Sequence, residues 1–362
     1  MTRLRPALRD MPGYVPGRRP APGQSYARLA SNETSFGPLP GVVEAAAAAV
    51  REAHRYPDPT AAALVAAIGE HNGVDLDRIA VGCGSVSLIQ DLLHICVEPG
   101  DEVVYGWRSF EAYPVMTHIA GASHAPIPLH EGHFDLDAMT AAVTDRTRLL
   151  LLCSPNNPTG PALPADGVGK LLQNVPEDVV VVLDEAYAEF VTDPSAVDGR
   201  TLLGAHPNLV VLRTFSKAYG LAGLRAGYAL GSPDVVAALR LVAVPFAVSV
   251  VAQAAAIASM QATEELARRV DTVVAQRERA VSAAREIGVP VPDAQGNFFW
   301  LPTGERAMAT AAALEQHGVL SRPFEGDGVR VTVTDEAETD VLIAAMQASR
   351  EVLLGDAVAA AG

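Results

Sequence analysis

One lysine in this sequence is placed where a primary amine could bond to a carbonyl compound. Of the 27 lysines and arginines among the 362 residues, only Lys170 and Lys217 are lysines, and the stretch around Lys170 is typical of the polar side of a surface helix. Lys217 follows the apolar run Leu209–Leu212. Burial at the end of a strand favours the neutral amine, which is the form that attacks a carbonyl. We predict a Schiff-base lysine at position 217, with a buried lysine paired to a carboxylate as the alternative.

Polar residues follow three other apolar runs in the same way. These runs end in Gly82-Cys83-Gly84-Ser85, in Ser154-Pro155-Asn156-Asn157 and in Asp184-Glu185-Ala186-Tyr187. Continuous apolar runs that alternate with helical stretches are typical of parallel strands covered on both faces. We therefore predict an α/β fold with a doubly wound, mostly parallel sheet. Ligands of such sheets bind beyond the carboxyl ends of the strands, so these polar segments should meet in one site.

An imine-forming lysine beside anion-binding groups indicates pyridoxal phosphate as the cofactor. Its phosphate requires hydroxyls, cations and the backbone N–H groups at the start of a helix. The candidates for this role are Gly84, Ser85, Val86, Thr214, Ser216 and Arg225.

The ring of this cofactor needs three further kinds of group. A carboxylate keeps the pyridine nitrogen protonated, and Asp184 is the candidate, with a helix cap as its alternative role. Asn157 and Tyr187 are the candidates for binding the ring hydroxyl, although an ordinary turn would also explain Asn157. Phe110 is the candidate for packing against the face of the ring.

The composition argues against several classes of protein. A formal net charge of −15 disfavours a nucleic-acid surface and binding to anionic membranes. The three cysteines lack CxxC spacing, so a reducing cytoplasm is expected. The most apolar stretch, residues 247–260, is shorter than the ~20 residues of a membrane span. His130 and His133 have no third ligand nearby, so no metal site is predicted.

The chain is predicted to form two domains and an arm. Residues 1–44 are rich in Pro and Gly and form an arm that packs with the small domain. Residues 45–239 form the large cofactor-binding domain, and residues 240–362 form a smaller α+β domain. Within them, Thr60 is expected to cap the second helix, and a single last helix is expected over Ala337–Leu354.

Four motifs resemble those of a known enzyme family. They are Ser-Pro-Asn-Asn-Pro-Thr-Gly from 154, Asp-Glu-Ala-Tyr from 184, Ser-Lys-Ala-Tyr-Gly-Leu-Ala-Gly-Leu-Arg from 216 and Gly-Val-Arg-Val-Thr-Val from 328. These motifs resemble the fold-type I, class II aminotransferases, which use pyridoxal phosphate. Within them the chain is similar to the histidinol-phosphate aminotransferase family, and it most resembles the actinobacterial branch that acts on aromatic amino acids. The likeness covers nearly the whole chain.

The resemblance implies a role for individual residues. Lys217 would form the Schiff base and then move a proton, assisted by the ring-binding residues already named. Arg330 would hold the substrate α-carboxylate through two parallel hydrogen bonds. Tyr14 and Asn32 would close over the substrate. Tyr56 would reach the phosphate of the neighbouring subunit, which implies a homodimer with shared sites.

The resemblance leaves the substrate open. Transfer of the amino group of an aromatic amino acid to 2-oxoglutarate, by a ping-pong mechanism, is the first hypothesis. The same chemistry on histidinol phosphate is the second, and decarboxylation of phosphothreonine is the third. Val86 and Ser87 stand where many relatives carry an acidic pair, so this loop does not indicate the substrate. Arg322 fits either a second substrate-binding cation or a surface charge.

Overall fold

A central sheet organises the computed structural model, which describes residues 26–355. Its strands are β2 (Ile79–Gly82), β3 (Glu102–Trp107), β4 (Ser123–Pro128), β5 (Thr147–Cys153), β6 (Val180–Asp184), β7 (Leu209–Thr214) and β8 (Gly227–Leu230). They lie in the order β2-β8-β7-β6-β5-β3-β4. Pairings are parallel from β7 through β4, whereas β8 runs antiparallel to β7 and to β2. The predicted mostly parallel sheet is confirmed.

Helices cover both faces of this sheet. One face packs against α2 (Ala62–Asn72), α5 (Leu136–Ala141), α6 (Ala165–Asn174) and α8 (Val250–Gln261), with α1 (Val42–Val50) beside α8. The other face packs against α3 (Ser85–Cys96), α4 (Ala112–Ala120) and α7 (Pro233–Val242). Along β5, Leu150 and Leu152 face the first layer, while Leu149 and Leu151 face the second. Because successive side chains point to opposite faces and both faces are covered, these consecutive positions are all apolar.

A second core surrounds a smaller antiparallel sheet. The sheet has the order β11-β12-β9, in which β9 is Phe298–Leu301, β11 is Arg322–Phe324 and β12 is Gly328–Thr332. Its helices are α9 (Thr263–Glu286), α10 (Ala307–Gln316), α11 (Glu336–Ala348) and α12 (Arg350–Leu354). The short strand β1 (Ala27–Arg28) pairs in parallel with β10 (Val319–Leu320), and Ala27 and Leu29 are buried in this core. The expected smaller α+β unit is therefore present.

The two cores meet within α9. Buried residues of α8, such as Ala252 and Ala256, belong to the core of the large sheet, as does Leu266 of α9. Further along α9, Ala280 and Ala284 are buried in the second core. We therefore propose that the boundary between the domains lies within α9.

Three local expectations differ from the structure. The second helix is not capped by Thr60, since the carboxylate of Asp58 accepts hydrogen bonds from the backbone N–H groups of Thr60 and Ala62 at 3.0 and 2.7 Å. The last helix is interrupted at Ser349, whose ψ of 11° turns the chain so that Leu353 is buried in the second core. The short strands β1, β10 and β11 were not expected, because two or three residues leave no clear periodicity. The six-residue edge strand β4 was not expected either, because it is largely exposed and contains Pro126 and Pro128.

No helix of the described region, residues 26–355, combines the length and the apolar composition that crossing a lipid bilayer requires.

Gly227 brings β8 of the large sheet against the first turn of α3. A Cβ at this position would lie 2.6 Å from the backbone N of Ser85 and 2.9 Å from the carbonyl oxygen of Arg213. Both of these atoms belong to the backbone, so the movement of a side chain could not make room for the added Cβ. The absence of a Cβ therefore permits the close approach of β8 to the helix that carries Ser85.

We predict that Gly227→Ala lowers the free energy of unfolding by about 1–3 kcal/mol, because overpacking forces the backbone apart. Urea denaturation measures the change. Gly223→Ala is the matched control, since a Cβ at Gly223 has no atom within 4 Å. Equal losses of stability in the two variants would contradict the packing argument.

Candidate active site

Lys217 lines a cavity of about 240 Å³ beyond the carboxyl ends of the parallel strands. Its Nζ lies 3.3 Å from the backbone carbonyl oxygens of Ser31 and Asn32. Among the described residues its hydrogen-bond partners are these carbonyls, and not a carboxylate as in the alternative interpretation. Burial lowers the pKa of Lys217 to about 7, and the positive charge of Arg330 acts in the same direction. The amine is thus substantially neutral near neutral pH.

Lys170 lies in a contrasting environment on the exposed side of α6. Its Nζ donates a hydrogen bond to Oδ1 of Asp137 at 2.8 Å, and this bond raises the pKa of Lys170 above its ordinary value. The expectation of a surface lysine at this position agrees with the structure.

Asp184 ends β6, the strand beside β7, and lines the same cavity as Lys217. Its carboxylate accepts hydrogen bonds from the backbone N–H of Ala186 at 3.2 Å and from the hydroxyl of Tyr113 at 3.3 Å. Burial raises the pKa of Asp184 to about 6. A buried carboxylate gains from a nearby positive charge, which is what a protonated ring nitrogen would provide.

Tyr113 is a residue of this site that the sequence analysis missed. It is fully buried in α4, and its ring packs edge-on against Phe110 with the centroids 5.5 Å apart. Burial raises the pKa of its hydroxyl well above the ordinary value, so Tyr113 stays a hydrogen-bond donor to Asp184. Its only signal in the sequence is its position three residues after Phe110, on what proves to be the first turn of a helix.

Hydroxyls, a guanidinium and a helix start converge at one end of the cavity. The side chain of Thr214 donates to Oγ of Ser216 at 3.0 Å, and Nη1 of Arg225 donates to the same oxygen at 3.3 Å. Gly84 precedes α3, and a Cβ there would lie only 2.5 Å from Nη2 of Arg225. The absence of a side chain at Gly84 thus lets the guanidinium reach the N-terminus of α3, where Ser85 and Val86 also line the cavity. Such a group of donors is suited to a phosphate.

Asn157, Tyr187 and Arg330 line another part of the cavity. Nη1 of Arg330 donates to Oδ1 of Asn157 at 2.6 Å, and Nη2 donates to the carbonyl oxygen of Ala30 at 2.7 Å. The Tyr187 ring lies 5.6 Å from Nζ of Lys217, and burial raises the pKa of the Tyr187 hydroxyl. Arg330, which belongs to β12 of the small sheet, thus contacts Asn157, which follows β5 of the large sheet.

Asn32 lies behind the cavity wall and does not line it. The residue is fully buried, its Nδ2 donates to the hydroxyl of Tyr187 at 3.0 Å, and its Oδ1 accepts from Thr332 at 2.9 Å. A side chain held in this way orients Tyr187, and the closing of Asn32 over a substrate stays a prediction. Tyr14, its expected companion, lies outside the described residues.

Arg322 and Phe110 complete the group of expected residues in the cavity. The Arg322 side chain is only 11% exposed, and Nη2 lies 2.9 Å from a carboxylate oxygen of Glu111. A surface charge is therefore not the correct interpretation of Arg322. Phe324 also lines the cavity, although no role was predicted for it.

Tyr56 is set apart from the cavity. Its side chain is 83% exposed and stacks on Phe246, with ring centroids 4.6 Å apart.

His130 and His133 pair through their backbones in a tight turn. Within residues 26–355, no three His, Cys, Asp or Glu side chains are grouped so that they could hold a metal ion.

Comparisons with known proteins agree with this arrangement. A family model described as aminotransferase class I and II matches residues 25–346. The chain is 49% identical to an aromatic amino acid aminotransferase of Streptomyces avermitilis, covering 97% of this chain and 98% of that protein. It is 52% identical to an aromatic amino acid aminotransferase of Rhodococcus jostii, covering 94% of each.

A solved structure shows the same fold. The crystal structure of histidinol-phosphate aminotransferase from Sinorhizobium meliloti, in complex with pyridoxal-5'-phosphate, superposes with a TM-score of 0.87. It is 30% identical and covers 98% of both chains. The chain therefore belongs to the class I and II aminotransferase family.

Proposed function

We propose that this aminotransferase transfers the amino group of an aromatic L-amino acid to 2-oxoglutarate, giving an aromatic 2-oxo acid and L-glutamate. The observation that carries the proposal is the partly neutral amine of Lys217 in one cavity with the buried carboxylate of Asp184. The names of the two relatives, at about half identity over nearly the whole chain, support the aromatic substrate.

The described residues fit pyridoxal phosphate. The close approach of Arg225 to Gly84 leaves a guanidinium, two hydroxyls and a helix start directed at one end of the cavity. At a second place the buried Asp184 has a raised pKa, which a cationic ring nitrogen would lower again. We assign the cofactor phosphate to the end of the cavity near Arg225 and Gly84, and the ring nitrogen to Asp184.

The residues of this chain would divide the chemistry among them. When bound, pyridoxal phosphate supplies an aldehyde and an electron-withdrawing ring. Lys217 would provide the amine that attaches the cofactor, and its Nζ would afterwards take the proton from the substrate Cα and deliver it to the carbon of the cofactor's aldehyde group. Asn157 and Tyr187 hold the ring oxygen, and Arg330 holds the substrate α-carboxylate.

The walls of the cavity suit an aromatic side chain. Phe110 and Phe324 line it together with Arg330 and Lys217. Phe324 is fixed in turn by Trp300, whose ring packs edge-on at 5.5 Å between centroids. Rings held in this way favour offset or edge-on contact with a further ring.

We further propose that two copies of the chain form a homodimer with shared sites. Phe246, on which Tyr56 stacks, lies in a segment with two further exposed apolar side chains, Leu241 and Val244; the exposed fractions are 38%, 85% and 69%. Such a surface favours a protein partner over solvent. A second copy seated on it would bring Tyr56 towards the phosphate-binding group of the partner.

Substrate choice tests the proposed function directly. We predict that kcat/KM for L-phenylalanine with 2-oxoglutarate exceeds kcat/KM for histidinol phosphate, measured by formation of glutamate. Lys217→Ala is the control and should abolish turnover together with the visible absorbance of the Schiff base. A preference for histidinol phosphate would overturn the aromatic assignment, and release of carbon dioxide from phosphothreonine would indicate a lyase.

The two lysines permit a test of the amine without turnover. In cofactor-free protein, we predict that an amine-acylating reagent modifies Lys217 with a half-maximal rate near pH 7, because its proton is lost there. Lys170 is the internal control, since Asp137 raises its pKa and it should react only at more alkaline pH. Peptide mapping measures both. Identical pH profiles at the two lysines would contradict the lowered pKa.

Arg330 is proposed to hold the α-carboxylate. We predict that Arg330→Lys raises KM for both phenylalanine and 2-oxoglutarate by roughly ten-fold or more, since a charge-assisted bidentate contact is lost. Steady-state kinetics with each substrate varied in turn measures the change. Arg279→Lys, at a salt bridge on the surface of α9, is the matched control and should leave both KM values unaltered. An unchanged KM in Arg330→Lys would remove this residue from the carboxylate site.

A further inference from the structure

An ion pair in the wall of the active-site cavity has no part in the chemistry described above. Glu111, directly before α4, and Arg322, in β11, both line the cavity. Nη2 of Arg322 lies 2.9 and 3.1 Å from the two carboxylate oxygens of Glu111. The Arg322 side chain is 11% exposed and that of Glu111 is 33% exposed. The contact is therefore partly shielded from solvent and is weakened less by salt than a surface pair would be.

Arg322 and Arg330 are opposite each other on the paired strands β11 and β12, and both lie near one aromatic ring. Their guanidinium carbons lie 5.7 and 6.0 Å from the centroid of Phe324. Arg330 donates hydrogen bonds to amide oxygens of Asn157 and Ala30, whereas Arg322 donates to the carboxylate of Glu111. The same cavity thus holds two cations of different electrostatic surroundings.

The proposed reaction requires one cavity to accept two kinds of side chain. An aromatic amino acid presents a neutral ring, while glutamate and 2-oxoglutarate present a second carboxylate. A neutral ion pair beside Phe324 is compatible with a ring. A substrate carboxylate, in contrast, is attracted by Arg322 but repelled by Glu111, and it must compete with Glu111 for the guanidinium.

We propose that Glu111 is a specificity-determining residue, which limits the acceptance of acidic substrates by engaging Arg322. This inference rests on the proposed function and adds to it the group that sets the balance between aromatic and acidic substrates. Arg322 binds the distal carboxylate of the acidic substrate, and Glu111 occupies the same guanidinium when the side chain is aromatic.

The test is the holoenzyme carrying Glu111→Gln, which keeps the size of the side chain and removes its charge. The quantity measured is kcat/KM for L-glutamate relative to L-phenylalanine, from single-turnover absorbance changes of the cofactor. We expect this ratio to rise roughly ten-fold, the range typical of a charge-assisted hydrogen bond. A ratio equal to that of the wild type, or lower, overturns the proposal.

Asp327→Asn provides the matched control. Asp327 pairs with Arg108 and so joins the same loop before α4 to the same hairpin, formed by β11 and β12. The control should leave the ratio unchanged. An equal rise in this variant would show that a loosened loop, and not the charge of Glu111, alters the preference, and would overturn the proposal.

The double variant Glu111→Gln with Arg322→Gln identifies the cation. We expect its ratio to fall below that of Glu111→Gln alone, because the guanidinium that attracts the acidic substrate is gone. A ratio as high as in the single variant overturns the role of Arg322. The change in kcat/KM for glutamate alone, between variant and wild type, tests the role of Glu111 without reference to phenylalanine. The aromatic assignment fails separately, if the wild type does not use phenylalanine.

Discussion

The proposed active site depends on the desolvation of two charged groups at the ends of neighbouring parallel strands. Burial acts on Asp184 and Lys217 in opposite directions, because it disfavours the charged form of each. The pKa of Asp184 rises to about 6 and that of Lys217 falls to about 7. The same physical cause thus yields a carboxylate that gains from a cationic partner and an amine that is available as a nucleophile near neutral pH.

This desolvated centre requires contributions from both cores. The large sheet supplies Asp184 and Lys217, while Arg330 comes from β12 of the small sheet and lowers the pKa of Lys217 further. The segment after residue 25 adds the carbonyl oxygens of Ser31 and Asn32 beside the amine. Pairing of β1 with β10 holds that segment against the second core. A change in the relative position of the cores would therefore alter the surroundings of Arg330 and the pKa of Lys217.

Local charge in this protein differs from its overall charge. The chain carries a formal net charge of −15, yet Arg225, Arg322 and Arg330 line one cavity. Each has different neighbours: the hydroxyl of Ser216 and the carbonyl of Ala222 for Arg225, amide oxygens for Arg330 and the carboxylate of Glu111 for Arg322. The hydrogen-bond partners of each arginine set how strongly its guanidinium attracts an anion. The three arginines can therefore take three different roles.

The sequence by itself determined the sheet and the chemistry at its edge. Apolar runs that end in polar residues predicted which side chains meet, since parallel strands end at the same edge. It could not determine contacts between residues far apart in the chain. The pairing of Glu111 with Arg322, the support of Asp184 by Tyr113 and the position of Asn32 behind Tyr187 were decided by tertiary packing. Periodicity reports which face of an element is buried, whereas the partner across a core depends on how separate elements are packed together.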